Sequence, residues 1–307
     1  MKNHLMQQPL VTICCITYNH ENFISEAIDS FLIQKTTFPI EIIIHDDAST
    51  DNTAVIVQEY AKKYPELITA ILQKENQFSK GINIPATYVR PKARGKYLAL
   101  CEGDDFWTDP LKLQKQVDFL EANPDYSICF TKVASMKDGK IVDNDLYDKY
   151  YKGILGDRTE FFFEDILTRC FIQTCTVVIR KDSIRFRDWI NDLAFGDWPL
   201  FLLAATSKKI KYIKEPMAVY RIHKDGVWSS LPRLNQCRED IKFYRYVNKE
   251  FDYIYSDKII EILSKNIENC LEEIDWLYKV WAKKDAILKK GNSNCIYKIL
   301  RKLRILS

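Results

Sequence analysis

From Leu10 to Leu100 the chain alternates short apolar runs with segments whose apolar residues recur every three or four positions. The runs Leu10 to Ile16, Ile40 to His45, Leu67 to Leu72 and Tyr97 to Cys101 show little polar alternation, which predicts strands covered on both faces. Between them, Phe23, Ala27, Ile28, Phe31 and Leu32 define one helix face, and Ala54, Val55, Val57, Tyr60 and Ala61 a second. Strands separated by such helices imply βαβ units and a mostly parallel, doubly wound α/β sheet. Residues 74–96 are polar and carry no clear element. A third helix follows, with Leu111, Val117 and Leu120 as its stripe, Asp109 as N-cap, Pro110 in the first turn and its end near Asn123-Pro124.

Past Pro124 the pattern is less regular. Ser127 to Ala134 and Gln173 to Arg180 read as strands, Lys137 to Lys152 as a polar loop, and Tyr212 to His223 as a pair of short strands around Glu215-Pro216. Gly196-Asp197-Trp198-Pro199 looks like the entrance to a helix. From Leu234 onward only helices are expected, including an amphipathic one through Ile260, Leu263, Ile267, Leu271, Ile274 and Tyr278. The expected organisation is therefore an α/β domain over 1–230, with halves 1–125 and 126–230, and a helical region over 231–307. Residues 295–306 place Lys298, Arg301, Lys302 and Arg304 around an apolar face, a pattern suited either to an anionic membrane surface or to a solvated helical end.

Composition narrows this picture modestly. A formal net charge of +3 with 28% charged residues gives no reason to expect a nucleic-acid partner. Nine cysteines without a Cys-x-x-Cys pair, several inside apolar runs, read as buried free thiols of a reducing compartment. The segment Met1 to Pro9 is polar, and no apolar run reaches the ~20 residues that span a bilayer. The expectation is a cytoplasmic protein, with the basic C-terminal helix as a possible peripheral contact to the inner face of the cell membrane.

The unusual chemistry lies where the strands end. Tyr97 to Cys101 leads into Glu102-Gly103-Asp104-Asp105, three carboxylates within four residues, with Asp109 shortly after. Crowded carboxylates repel one another unless a cation sits among them, and hard divalent cations take oxygen ligands. A polar turn before the next helix is the plainer alternative, and Asp109 fits it as a cap. The strand at 40–45 runs into Asp46-Asp47, and the first strand into Tyr18. A carboxylate there can accept from the ring N–H of a nucleobase, and Tyr18 offers a face for stacking. Ligands of doubly wound sheets bind at this carboxyl edge. Taken alone, Asp197 reads as a helix cap and His223 as a polar residue after a strand.

In order, Val11-Thr-Ile-Cys-Cys-Ile-Thr-Tyr-Asn19, Asp46-Asp-Ala-Ser-Thr-Asp51 and Gly95-Lys-Tyr-Leu-Ala-Leu-Cys-Glu-Gly-Asp-Asp-Phe-Trp107 resemble the successive signatures of family 2 glycosyltransferases with the GT-A fold, in a branch that builds bacterial surface polysaccharides. The resemblance spans about residues 10 to 225. It implies that Tyr18 and Asp47 hold the base of a nucleotide-sugar donor, UDP- or dTDP-linked, with Asp104 near the ribose. Asp105 and His223 would ligate Mn²⁺ or Mg²⁺, and Asp197 would be the base of an inverting transfer to a glycan or lipid-linked acceptor, whose site is expected between Lys137 and His223. Two departures stand out: the first acid of the Asp-x-Asp element is Glu102, and Asp197 follows glycine rather than another acid. Glu102 and Asp46 are further candidates for the site. A sugar-1-phosphate nucleotidyltransferase is a rival, although Leu10 to Asn22 lacks the glycine of a phosphate loop; a non-catalytic nucleotide-sugar-binding subunit is another.

Overall fold

The computed structural model describes residues 8–142, 151, 153–223, 232–266, 268 and 279. The chain divides into two compact units, Met1–Ser230 and Leu231–Ser307. In the first unit, β1 (Val11–Thr17) is central and parallel to both β2 (Ile40–Asp46) and β4 (Tyr97–Leu100), while β3 (Ile68–Leu72) extends the sheet beyond β2. Helices α1 (Ile24–Leu32) and α2 (Thr53–Lys63) are the crossovers. The continuous apolar runs are explained by burial: Val11, Ile13, Ile42 and Ile44 are fully buried in the sheet, as are Ala27, Ile28 and Phe31 on α1.

Beyond β4 the sheet becomes mixed. Its order is β3-β2-β1-β4-β9-β6-β10-β5, with β7 (Lys140–Val142) on β6 (Tyr126–Lys137) and β8 (Glu160–Phe161) on β10 (Lys209–Ile222). Strand β9 (Val178–Arg180) runs antiparallel to both β4 and β6, whereas β6 and β10 are parallel. The two-residue β5 (Phe106–Trp107) pairs antiparallel with β10. Helices α3 (Lys112–Ala122), α4 (Phe163–Thr168) and α5 (Asp197–Ala204) complete the unit.

Several expectations are corrected. The polar segment 74–96 folds into a 3-10 turn, Phe78–Lys80, and a π turn, Pro85–Val89. Gln173 to Arg180 is strand only in its last third, because Thr174–Thr176 forms a 3-10 turn first. The expected pair of strands over 212–223 is one long β10, with its register broken between Ile213 and Ala218, where Pro216 has no N–H to give the ladder. Helix α3 begins at Lys112 rather than Pro110, yet Asp109 still acts in its first turn, accepting from the Leu111 N–H at 2.8 Å and pairing with Lys115 at 3.0 Å.

In the second unit, α6 (Arg233–Glu250) buries Cys237, Phe243, Tyr244 and Val247 along one side, and residues 256–266 are again helical. Cys237 is disulfide-bonded, which overturns the reading of all nine cysteines as thiols; Cys14, Cys15, Cys101, Cys129, Cys170 and Cys175 are free. The later part of the expected amphipathic helix and the basic segment 295–306 lie outside the described residues. No helix among the described residues is long and apolar enough to cross a membrane.

Candidate active site

The carboxyl ends of β1, β2 and β4 stand side by side, with Thr17 opposite Asp46 and Cys14 opposite Leu100. Two loops leave this edge and are tied together. Asn19 adopts a left-handed φ of 55°, its N–H donates to Ser49 Oγ at 2.9 Å, and its Oδ1 accepts from the Thr50 N–H at 2.8 Å. His20 N–H donates to Thr53 Oγ1 at 2.8 Å and Glu21 N–H to Asp51 Oδ2 at 3.0 Å. The cluster 49–53, expected as a helix cap, thus also fixes the loop after β1. Ala48 is left-handed as well, at φ 61° and without the side-chain hydrogen bonding that helps asparagine there, a strain of the kind stored at functional edges.

The two aspartates at the end of β2, Asp46 in the strand and Asp47 just after it, are buried and occupied. Asp46 accepts from the Ser49 N–H and hydroxyl, closing the turn. Asp47 accepts from the backbone N–H groups of Gln77, at 2.8 Å, and Phe78, at 3.0 Å, which anchors the 3-10 turn to the strand end. Tyr18 is exposed beside them, and Phe78 is exposed too.

After β4 the acids diverge. Gly103 is obligatory in this turn, since a Cβ would meet Thr17 Oγ1 at 2.6 Å. Asp105 points inward, 3% exposed, and its Oδ1 accepts from the Arg221 backbone N–H at 2.8 Å. Burial, then the neighbouring Asp104 and Glu102, push its carboxyl well above the usual range. Asp104 instead faces the two imidazoles at the site: His223 Nε2 lies 2.8 Å from its Oδ2 and His20 Nε2 3.8 Å from the same oxygen. Burial is the largest single influence on Asp104 and raises it, but the hydrogen bond to His223, the neighbouring His20 and the backbone hydrogen bonding together outweigh it, and the carboxyl lies below its ordinary value. The placement differs from the expected pairing of Asp105 with His223: Asp105 accepts from the Arg221 N–H, and it is Asp104 whose Oδ2 lies 2.8 Å from His223 Nε2.

Glu102 and Asp197 form the other wall. Asp197 opens α5 and holds its own turn, accepting from the Trp198 N–H at 2.8 Å, while its Oδ2 accepts from Thr174 Oγ1 at 3.2 Å. Burial raises its carboxyl. Glu102 also interacts with Thr174; its buried surroundings, then Asp104 and Asp197, push it up to about 8. The 3-10 turn at 174–176 thereby presents one hydroxyl between the two acids.

Sequence reasoning missed Arg221. Its guanidinium reaches the Asp104 carbonyl and the Glu26 carboxylate and lies over Phe106, 4.5 Å from the ring centroid, and Phe23, at 5.1 Å. It is 8% exposed. An arginine inside the apolar run that ends at His223 was the available signal, since a buried guanidinium needs partners. His20, third residue of the break after β1, was a second such signal.

The donor set suits a divalent cation in kind: carboxylates crowded in low-dielectric surroundings, one with its pKa near 8, and two imidazoles around Asp104. Among the described residues, no group of three or more His, Cys, Asp or Glu side chains is placed to hold a metal ion.

Comparison with known proteins agrees with this architecture. Residues 12–186, more than half of the chain, match the family model described as Glycosyl transferase family 2. Uncharacterized protein Rv1520 of Mycobacterium tuberculosis is 41% identical over 220 residues, 72% of this chain and 61% of that protein, so the chain spans under two thirds of that relative. The dTDP-rhamnosyl transferase RfbG of Shigella flexneri is 30% identical over 221 residues, covering 68% of this chain and 72% of RfbG. Among solved structures, S. aureus TarS 1–349 in complex with UDP-GlcNAc superposes with a TM-score of 0.53 at 18% identity, over 80% of this chain and 74% of the other. The mannosyltransferase PcManGT from Pyrobaculum calidifontis, in complex with GDP-Man and Mn²⁺, gives 0.56 at 16% identity, over 97% and 84%. At these identities the structural likeness concerns the fold.

Proposed function

Because the chain belongs to glycosyl transferase family 2, we propose that it transfers a sugar, with inversion, from a nucleotide-diphosphate sugar to a hydroxyl of a glycan or lipid-linked acceptor in surface polysaccharide synthesis. The observation that carries this reading is the convergence, at the carboxyl edge of β1, β2 and β4, of the Asp104–His223 pair with the Glu102–Thr174–Asp197 wall. Relatives with names in dTDP-rhamnosyl transfer and minor teichoic acid biosynthesis support the substrate class.

Asp197 is the base. A carboxylate raised by burial and held by Thr174 and its own helix turn is oriented for taking a proton from the acceptor hydroxyl, an assistance worth ~10²–10⁴ in rate. Tyr18 offers its exposed face to the base of the donor, and Asp47 stands next to it; since its oxygens already hold two backbone amides, any contact to the base uses its remaining lone pairs. A divalent cation, Mg²⁺ or Mn²⁺, would offset the charge on the departing diphosphate, and Asp104 and His223 are the side chains that would hold it. In this assignment the metal role passes from Asp105 to Asp104, and Asp105 anchors β10. Residues 137–223 supply the acceptor side. The placement on the cytoplasmic face of the membrane draws support from the basic pattern of 295–306.

The test is a panel of nucleotide sugars incubated with the full chain and Mn²⁺ or Mg²⁺. Slow release of nucleoside diphosphate from one donor, absent in Asp197→Asn, is the expected result. Donor binding with no release from any sugar would replace the transferase reading with that of a nucleotide-sugar-binding subunit.

A further inference from the structure

Tyr220 stands in β10 immediately before Arg221, whose backbone N–H holds Asp105. Adjacent residues of a strand project to opposite faces of the sheet. The Arg221 side chain lies over Phe23 and bonds Glu26, so it takes the face covered by α1. Tyr220 takes the other face, where β10 packs against the 3-10 turn Thr174–Thr176. Its side chain is half-buried there, and its hydroxyl makes no hydrogen bond among the described residues. The surroundings are nevertheless charged. Burial first, then Asp105, Asp104 and Glu102, and last Cys175 of the 3-10 turn, raise its phenol above the ordinary 10. The hydroxyl is therefore a neutral donor at any working pH, beside three carboxylates and bonded to none of them. A phenol usually finds a partner once its ring is buried, so one left uncommitted where the acids of the site meet is placed for a ligand.

Under the proposed function the diphosphate lies toward Asp104 and the acceptor hydroxyl at Asp197, so the sugar occupies the space between them. Glu102 marks that space, since both Asp104 and Asp197 act on it, and Tyr220 faces Glu102 and Asp104 together. We propose that the Tyr220 hydroxyl donates a hydrogen bond to an oxygen of the transferred sugar and so takes part in selecting which sugar is used. A neutral partner suits the position. An anion on Tyr220 would add charge beside three carboxylates, whereas a sugar hydroxyl adds none and can donate its own proton to one of them. This contact presupposes the transferase reading and adds to it a grip on the sugar itself, which neither the Asp104–His223 pair nor the base supplies. A ring that merely fills the groove between β10 and the 3-10 turn is the competing account, and phenylalanine would serve it equally well.

The experiment compares the full chain with its Tyr220→Phe variant by calorimetry in the presence of Mg²⁺. The probes are three pairs: UDP-GlcNAc with UDP, dTDP-rhamnose with dTDP, and GDP-mannose with GDP. Expected is a nucleotide sugar that Tyr220→Phe binds about three- to tenfold more weakly than the wild type, the span of one hydrogen bond between neutral groups, while both bind its free diphosphate equally. Deoxy versions of that sugar should then reveal one position whose loss costs the wild type the same factor and costs Tyr220→Phe nothing further. Unchanged affinity for every nucleotide sugar, or equal weakening of a nucleotide sugar and its free diphosphate, overturns the role of Tyr220 and leaves the proposed function standing. If the wild type binds none of the six probes, the donor site itself fails, and the contact with it. Because the hydroxyl carries no bond among the described residues, Tyr220→Phe should keep the wild-type melting temperature. Should it not fold, Tyr220→Met, which also lacks the hydroxyl, takes its place under the same outcomes.

Discussion

Removing the carboxylate at 105 and removing it at 104 should have different consequences, because the two side chains face different surroundings. Asp105→Ala would strand the buried Arg221 N–H, and a buried donor without a partner costs about 1–3 kcal/mol. Chemical denaturation should register that loss. Asp104→Ala should also cost stability, since its hydrogen bond to His223 is lost, but should in addition remove Mn²⁺ binding measured by calorimetry, which Asp105→Ala should keep; Mn²⁺ binding lost in Asp105→Ala and kept in Asp104→Ala would return the metal role to Asp105. For Asp197→Asn, donor affinity should persist while kcat falls by ~10²–10⁴. Since burial raises Asp197 above its ordinary 3.8, its base form appears only at higher pH, so activity should decline on acidification at a pH above 3.8. A pH profile with an acid limb near 3.8 would argue against Asp197 as the base.

At the scale of elements, the turn between β4 and β5 is the tightest fit in the site. Gly103→Ala would push a methyl to 2.6 Å from Thr17 Oγ1 and 3.0 Å from Ile24 Cδ1, forcing β1 and α1 apart, and overpacking of this kind costs about 1–3 kcal/mol. A Gly103→Ala protein with wild-type stability and wild-type Mn²⁺ affinity would show that the turn yields freely. How much of this the sequence reveals differs along the chain. The parallel half is legible because Leu10 to Ile16 and Ile40 to His45 are buried on both faces and have no other reason to be so uniformly apolar. The mixed half is not, because β10 passes through a register break at Pro216 and Thr174–Thr176 turns before β9 begins, so neither has a clean period. The order of Glu102, Asp104, Asp105, Asp197 and His223 could be read; which acid faces His223 could not, since it depends on side-chain direction within a turn.

Across the whole molecule, one buried charge ties stability to pH. Lys112 is fully buried, with Nζ 2.9 Å from Gln116 Oε1 and 4.3 Å from the centroid of the Trp107 ring, and burial lowers its pKa from 10.5 to about 8. Between those values the unfolded chain binds a proton that the folded chain releases, so this residue adds stability as pH rises through that window and its burial penalty is complete below it. The stability of the wild type relative to Lys112→Met should therefore increase from pH 8 upward, as read by thermal melts of the pair. A difference that stays flat with pH would mean that Lys112 is charged in the fold throughout.

Arg221 carries a consequence for how the protein comes into being. Its bonds join Asp105 and Asp104, 116 and 117 residues earlier, and Glu26, 195 residues earlier. Contacts of such separation form late, since the intervening chain must first lose its freedom. A growing chain released from the ribosome through β4 can assemble β1, β2 and β4 from near neighbours in sequence, but its acidic turn has neither the arginine that braces it nor the histidine beside Asp104. Competence to hold the donor would thus arrive in one late step, when the end of β10 docks, and not gradually as the sheet grows.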